Sequence, residues 1–508
     1  ILLTNGIWSQ DLHVGSGAAI TTLSGGLLFV GSNVSIDAAA SLATTSNTTA
    51  SGSFIVSGST TGNITYKRYI DDNNWHLVSA PVTSQSIPTF VGVAGNAVTQ
   101  SGNNHAVSYY KNTNAAGNRW TYHNTVDVSE NQETLTSFTS GEGYSMNRTA
   151  AGDYTFTGAM ANADVSVTIP TTTTTGTHLW SAIGNPFPCF LPVNNAADAA
   201  NLLIDNVAAL DPSFAFLYVW NGTSEEYNPK GHDAAALQLA PGQAFMVRAK
   251  SVSETFTFKK TLQNHNSGAA MFYKSSASNP TISVRLTNGT SNKSANLEFL
   301  DSSITGLDVG YDAGAYQDGT PSFSINTHLV SDSQGIDFTR QSLPTSSLDS
   351  KVAIPLSMNV SINEEVTFSV DTKNLPEGVS VYLEDALNNT FTNLTDAPLK
   401  IKITTALSGI GRFYLRTSSG VLSTETNFVG SLIDLYKTSN GTVKITGLTS
   451  GSTATFSMFN IFGKEVLATK FIAQNVKEIL VPASLSKGVY IVSVVSDLGT
   501  FHKKIVID

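Results

Sequence analysis

Cysteine is almost missing from this chain of 508 residues, where Cys189 stands alone. One thiol excludes an internal disulfide and a thiolate metal cage. Within Asn185-Pro186-Phe187-Pro188-Cys189-Phe190 it reads as a small buried hydrophobe. Charge is scarce too: Asp, Glu, Lys and Arg make up 13% of the residues, against about 25% in an ordinary soluble domain. Thr, Ser, Asn and Gly must therefore supply the polar surface, and such short side chains favour strands and turns over helices. The net charge of −10 excludes a general nucleic-acid binder, whose phosphate contacts need a basic face. No apolar run approaches the roughly 18 residues of a membrane-spanning helix. The chain opens at Ile1 without the basic and apolar regions of a signal peptide.

Catalytic signatures are also missing. There is no His-Glu-x-x-His, no complete EF-hand loop, no Gly-x-Ser-x-Gly elbow and no phosphate-cradling loop. The best acidic cluster is Asp308, Asp312 and Asp318, interleaved with Gly310, Gly314 and Gly319. Two readings stand: hard oxygen ligands for Ca²⁺, or tight turns in which Asp bonds its own backbone and Gly takes positive φ. The turn reading is preferred, and no other cofactor is expected. Asp71-Asp72-Asn73-Asn74 reads as a solvated loop. His76 and His178 read as packing partners of Trp75 and Trp180. An enzyme is not expected. A carboxylate pair assembled in space would make the alternative, a secreted polysaccharide- or protein-degrading hydrolase with its catalytic module in 67–278 or upstream of residue 1.

What the chain has is period-two alternation. Near its end, Thr442–Ile445, Ala454–Met458, Lys477–Val481, Val489–Val494 and Lys503–Ile507 alternate between turn signals at 439–441, 462–464 and 497–499. A small β-sandwich over 431–508 is expected. Residues 1–66 carry short apolar runs separated by small residues, the pattern of a β-solenoid. Its first rung would leave an unpaired edge, so the natural chain is expected to continue upstream. Residues 67–278 hold a weak duplication. Trp75-His76-Leu77-Val78-Ser79-Ala80-Pro81 is echoed by His178-Leu179-Trp180-Ser181-Ala182 and its continuation to Pro186. Gly141–Met146 is echoed by Pro241–Met246. A helix is expected over 196–210, stopped by Asp211-Pro212. The rings Tyr109, Tyr110, Trp120, Tyr122, Tyr218, Trp220 and Tyr227 flank Gly/Asn loops. They read first as core, and if exposed as platforms for a surface glycan. Residues 279–417 alternate as a second β-sandwich, and 418–430 is a polar linker. The fold class is thus all-β: tandem β-sandwich domains, with a short β-solenoid at the N-terminus and a small C-terminal β-sandwich.

Three segments of the tail carry a resemblance. Asn460-Ile461-Phe462-Gly463-Lys464-Glu465-Val466, Leu485-Ser486-Lys487-Gly488-Val489-Tyr490-Ile491-Val492 and His502-Lys503-Lys504-Ile505-Val506-Ile507 resemble, in order, spacing and position, the type A C-terminal sorting domain. That domain marks cargo of the type IX secretion system of Bacteroidetes-type bacteria. Most members open with Tyr-Pro-Asn-Pro, where this chain has Ile433-Asp434-Leu435-Tyr436-Lys437. The sandwich over 279–417 is similar to one that often precedes the sorting domain. The resemblance implies export through the outer membrane of a Gram-negative bacterium, to the cell surface or the medium. Implied partners are the type IX translocon, an outer-membrane shuttle barrel and a sorting protease that cuts before the tail. Cleavage would fall in the linker, around Ser419, Gly420, Thr424 and Asn427. Recognition would fall on Gly463, Lys464, Lys487, Gly488, Tyr490, Lys503 and Lys504, the glycines holding turns and the lysines offering charge near an edge strand. The function expected is an exported, non-enzymatic adhesin or surface-layer stalk protein.

Overall fold

The computed structural model describes residues 11–507, except 127–128, 172–177, 223–225, 233–234, 267–278, 350–351, 420–432, 439–441, 449–450, 475, 483–484 and 497–498. The protein's regular secondary structure is almost entirely strand. It divides into two compact units, Ile1–Ala277 and Ser278–Asp508.

The first unit opens with a parallel β-solenoid, as the small-residue pattern predicts. Strand Leu12–Val14 pairs in parallel with Val34–Ile36, which pairs with Thr60–Thr61. Ala19–Thr22 pairs with Ser41–Thr45, and that with Ile64–Ile70. Leu27–Val30 pairs with Ser53–Val56. A corner ladder ties the rungs: the Asn33 N–H donates to Asp11 Oδ1 at 2.9 Å, and the Ser59 N–H donates to Asn33 Oδ1 at 3.0 Å. These partners lie 22 and 26 residues apart. The Asn47–Ala50 turn, closed on Asn47 Oδ1, makes the second rung longer and hides the repeat in the sequence.

Strand Ile64–Ile70 crosses the boundary expected at residue 66. One edge completes a solenoid rung, and the other pairs antiparallel with Gly152–Gly158. Solenoid and duplicated region therefore share a core: Val14, Val34, Phe54 and Val56 pack in the same cluster as Val78, Phe90, Tyr144 and Phe156. Cys189 is fully buried, where the Phe54 N–H reaches the Pro188 carbonyl at 2.8 Å. Burial pushes its thiol pKa well up, so it behaves as the expected hydrophobe.

The duplication is a duplication of topology. In the first half, His76–Val78, Tyr144–Met146, Asn104–Tyr110 and Trp120–Asn124 are neighbours in that order. In the second, Trp180–Gly184, Ala244–Arg248, Leu217–Asn221 and Glu226–Lys230 repeat it. A flanking pair is repeated as well, Ile64–Ile70 with Gly152–Gly158 and Val165–Ile169 with Glu254–Phe258. Each half also carries a short helix after its first landmark, Ile87–Gly92 and Leu202–Asn206. The expected long helix shrinks to Leu202–Asn206 plus a 3₁₀ turn, Val207–Ala209. Asn194 takes the Ala197 N–H on its side chain, and Asn201 caps Ile204 instead. Such short amides compete with helical hydrogen bonds and start a helix rather than extend one.

The second unit begins with a sandwich whose strands form one continuous ladder, from Thr390–Asn393 through Ile354–Val360 to Leu399–Lys402. Its core includes Val284, Leu297, Leu356, Phe368 and Phe413. The tail that follows has seven strands among its described residues. Asp434–Lys437, Thr442–Thr446 and Val476–Leu480 form one sheet; Glu465–Ile472, Thr453–Asn460, Gly488–Ser496 and Gly499–Ile507 form the other. Between them lie Leu435, Val443, Ile445, Phe456, Met458, Val492 and Val494.

Candidate functional site

The tail residues expected to carry recognition separate by position. Gly463 has φ +77°, which only glycine adopts freely. It forms the hairpin tip in which Asn460 Oδ1 accepts the N–H of Phe462 and of Lys464, both at 3.0 Å. Lys464 and Lys487 are exposed, and Gly488 begins the strand that follows Lys487. Tyr490 is buried, its hydroxyl donating to the Ser486 carbonyl at 2.7 Å, so it pins the turn before its own strand. Lys503 and Lys504 point to opposite faces because side chains alternate along a strand. Lys503 turns inward to Asp434 at 2.8 Å and to the Ser333 carbonyl at 3.3 Å. Lys504 is exposed. Ser419 is exposed at the end of the sandwich, while Gly420, Thr424 and Asn427 lie outside the described residues.

Lys503 belongs to a joint between tail and sandwich. The Tyr436 ring lies where a side chain on Gly335 would stand, 2.3 Å from an ideal Cβ. Its ring centroid is 5.6 Å from that of His328. His328 is itself held by Asp337 at 2.9 Å. Lys444 Nζ reaches the Ser408 carbonyl at 3.5 Å. Tyr436 is part of the segment standing where most sorting domains carry Tyr-Pro-Asn-Pro, and here it makes the joint.

The acidic cluster is a tied loop. Asp312 Oδ2 accepts the Asp308 N–H at 2.7 Å, and Oδ1 accepts the Ser342 N–H at 2.6 Å and its hydroxyl at 2.9 Å. Asp308 Oδ2 accepts the Ile304 N–H at 2.8 Å. Asp318 belongs to the Tyr316–Pro321 loop, which forms a shallow pocket. Asp308 and Asp312 thus close the 304–312 loop on itself and tie it to Ser342. Burial, the dominant cause, lifts the Asp312 carboxyl to about 6. Between its unfolded value near 4 and that value, the folded state holds a proton that the unfolded chain releases. The stabilisation is complete below about pH 4 and is lost as pH rises through about 6, amounting to about 3 kcal/mol. A carboxyl-carbon NMR titration of Asp312 should show its midpoint near pH 6, and a midpoint below 4.5 would contradict this reading of the loop.

Among the described residues, Asp71, Asp72 and His76 are the three side chains grouped closely enough to hold a metal ion. Asp72 Oδ1 already lies 2.7 Å from His76 Nε2 and accepts the Asn74 N–H at 2.8 Å. His76 and His178 occupy different surroundings despite their matching landmarks. His178 Nε2 meets the Tyr110 hydroxyl at 2.5 Å, and burial, aided by Arg119 and Arg248, lowers its pKa to about 3. Tyr110 and Tyr218 are core residues. Tyr109 is half-buried, its hydroxyl on Glu133. Trp120 packs edge-on against Tyr110. Trp75, 37% exposed, meets Tyr122 edge-on at 5.9 Å, and Trp220 meets Tyr227 at 4.9 Å. Gly222 brings the two pairs together, since a Cβ there would stand 3.1 Å from the Trp75 carbonyl.

The tail is a closed β-sandwich that carries these segments, and its class follows from them. The model of the secretion system C-terminal sorting domain matches residues 438–508. The protein is a type IX secretion cargo, exported through the outer membrane to the cell surface or extracellular space. Through residues 4–416 it belongs to the family described as a domain of unknown function, DUF8693. No curated protein matches the chain. A solved structure described as a tetra-tandem repeat in the extending region of a large adhesion protein is similar at 10% identity and a TM-score of 0.13, over 58% of this chain and 91% of that one. A likeness so slight carries no argument. No helix among the described residues is long and apolar enough to cross a membrane.

Proposed function

We propose that the protein is a non-enzymatic adhesin, delivered folded by its tail. The observation that carries this reading is that the tail closes its own core, so the translocon and an outer-membrane shuttle barrel would meet a finished domain. A sorting protease would then cut within 418–430. The partly exposed rings of Trp75, Tyr122, Trp220 and Tyr227 suit the face of a sugar, because aromatic rings offer a flat apolar surface with polar edges. Deleting 431–508 is the test of delivery: the truncated chain should stay in the periplasm, and normal amounts outside the cell would sink the reading. Binding on a glycan array without turnover fits the adhesin. Release of reducing sugar or peptide would establish a hydrolase instead.

A further inference from the structure

The tail's two sheets present unlike outer faces. One sheet supplies Tyr436 and Lys444 to the joint with the sandwich. The other, with Gly488–Ser496 among its inner strands, should show polar residues to water if nothing covered it. At the Gly488 end its outward positions are instead Val489 and Ile491, both exposed, while farther along the strand Ser493 is buried and Val495 is exposed. Register carries the apolar surface across the sheet: Val489 stands opposite Val506, Ile491 opposite Lys504, and Phe459 opposite Ile491. The hairpin tip beyond Asn460 adds Ile461 and Phe462, which are 71% and 87% exposed. Apolar side chains gathered at one end of a sheet differ from the scattered ones any surface carries, and they mark an interaction site.

Charge narrows the partner. Residues 431–508 hold eight lysines and five acidic residues, in a chain of net charge −10. Lys464, Lys487 and Lys504 are exposed around the apolar end, with Glu465 beside Lys464. We propose that this end of the sheet, from the Phe462 tip to Val506, docks on an acidic, apolar protein surface of the export machinery. The inference rests on the delivery role given above and assigns it to one face. It also divides the paired lysines: Lys504 meets the partner, and Lys503 holds the tail to its own sandwich.

The test uses the full chain in its exporting cell. The variant Ile491→Ser/Val506→Ser, and separately Lys504→Glu, should each lower the amount outside the cell at least tenfold. Folded protein with an unchanged melting temperature should accumulate in the periplasm. Lys504→Glu removes no core contact, so it keeps the test valid if the double variant fails to fold. Ile472→Ser, at the far end of the same face, should export normally. Normal export of both test variants, with the tail deletion still blocking export, would overturn the proposal and leave the delivery role standing. Normal export of the tail-deleted chain would sink that role itself. A wild-type dimer that the Lys504→Glu variant turns to monomer, with export unchanged, would make this face a contact between copies and likewise overturn the proposal.

Discussion

Replacing Asp385 by Ala is expected to cost the second unit about 3–5 kcal/mol, among the largest single-residue effects in this protein. The Arg412 guanidinium grips Asp385 with two parallel hydrogen bonds, Nε to Oδ1 at 3.0 Å and Nη2 to Oδ2 at 2.8 Å. Both side chains are at most 5% exposed. Beside them Arg416 pairs with Glu384 at 2.5 Å, equally sheltered. Removing one partner leaves a cation in low dielectric with no counter-charge. Replacing both by apolar residues of similar volume removes the desolvation cost with the attraction. Asp385→Leu/Arg412→Met should therefore recover most of the loss. Urea titrations followed by far-UV circular dichroism measure it, and a loss under 1 kcal/mol for Asp385→Ala would show that the pair is not buried in solution.

These charges were illegible in the sequence for a physical reason. In Ser380–Asp385 the alternation marks Val381 and Leu383 as inward, and both are core. The same rule sends Glu384 to water and sets Asp385 on the inward face, where a carboxylate needs a partner that its own strand does not supply; both are buried. The strand Leu407–Ser418 runs alongside and brings Arg412 and Arg416 to them. Only the pairing of strands distant in sequence reveals that, and period-two reading sees one strand at a time.

Local chemistry was read more faithfully. All five alternating runs of the tail are strands, and the Phe462-Gly463-Lys464 tip is a turn. Asp434–Lys437 and Glu465–Ile472 escaped notice. The first is short, and in the second the adjacent Val466 and Leu467 break the apolar period at the start of a strand that lies at the edge of its sheet. Lys503 and Lys504 show the limit best. As neighbours in a motif they look equivalent, but a strand sends them to opposite faces, and only Asp434 and Ser333 explain what one of them does.

The seam between the duplicated halves gives the second large effect. Gly184→Val is expected to cost the first unit about 3 kcal/mol, the upper range for overpacking. The halves exchange equivalent contacts: the Ser79 N–H donates to the Gly242 carbonyl at 3.0 Å, and the Gly143 N–H to the Ala182 carbonyl at 3.0 Å. The Gly184 N–H donates to the Gly141 carbonyl at 2.9 Å, and the Ser79 hydroxyl to the Asn185 carbonyl at 2.7 Å. A Cβ on Gly184 would stand 2.6 Å from Ser79 Cβ and 2.8 Å from Ala244 Cα. Neither atom can rotate away, so the backbones of the two halves must separate and stretch the seam's hydrogen bonds. Gly92→Ala, with nothing within 4 Å of its Cβ, should leave stability unchanged or slightly raised. All five tryptophans precede residue 277, so tryptophan fluorescence follows this unit alone. Its thermal midpoint should fall by roughly 6–12 °C in Gly184→Val. A fall under 2 °C would mean that the halves do not approach so closely in solution.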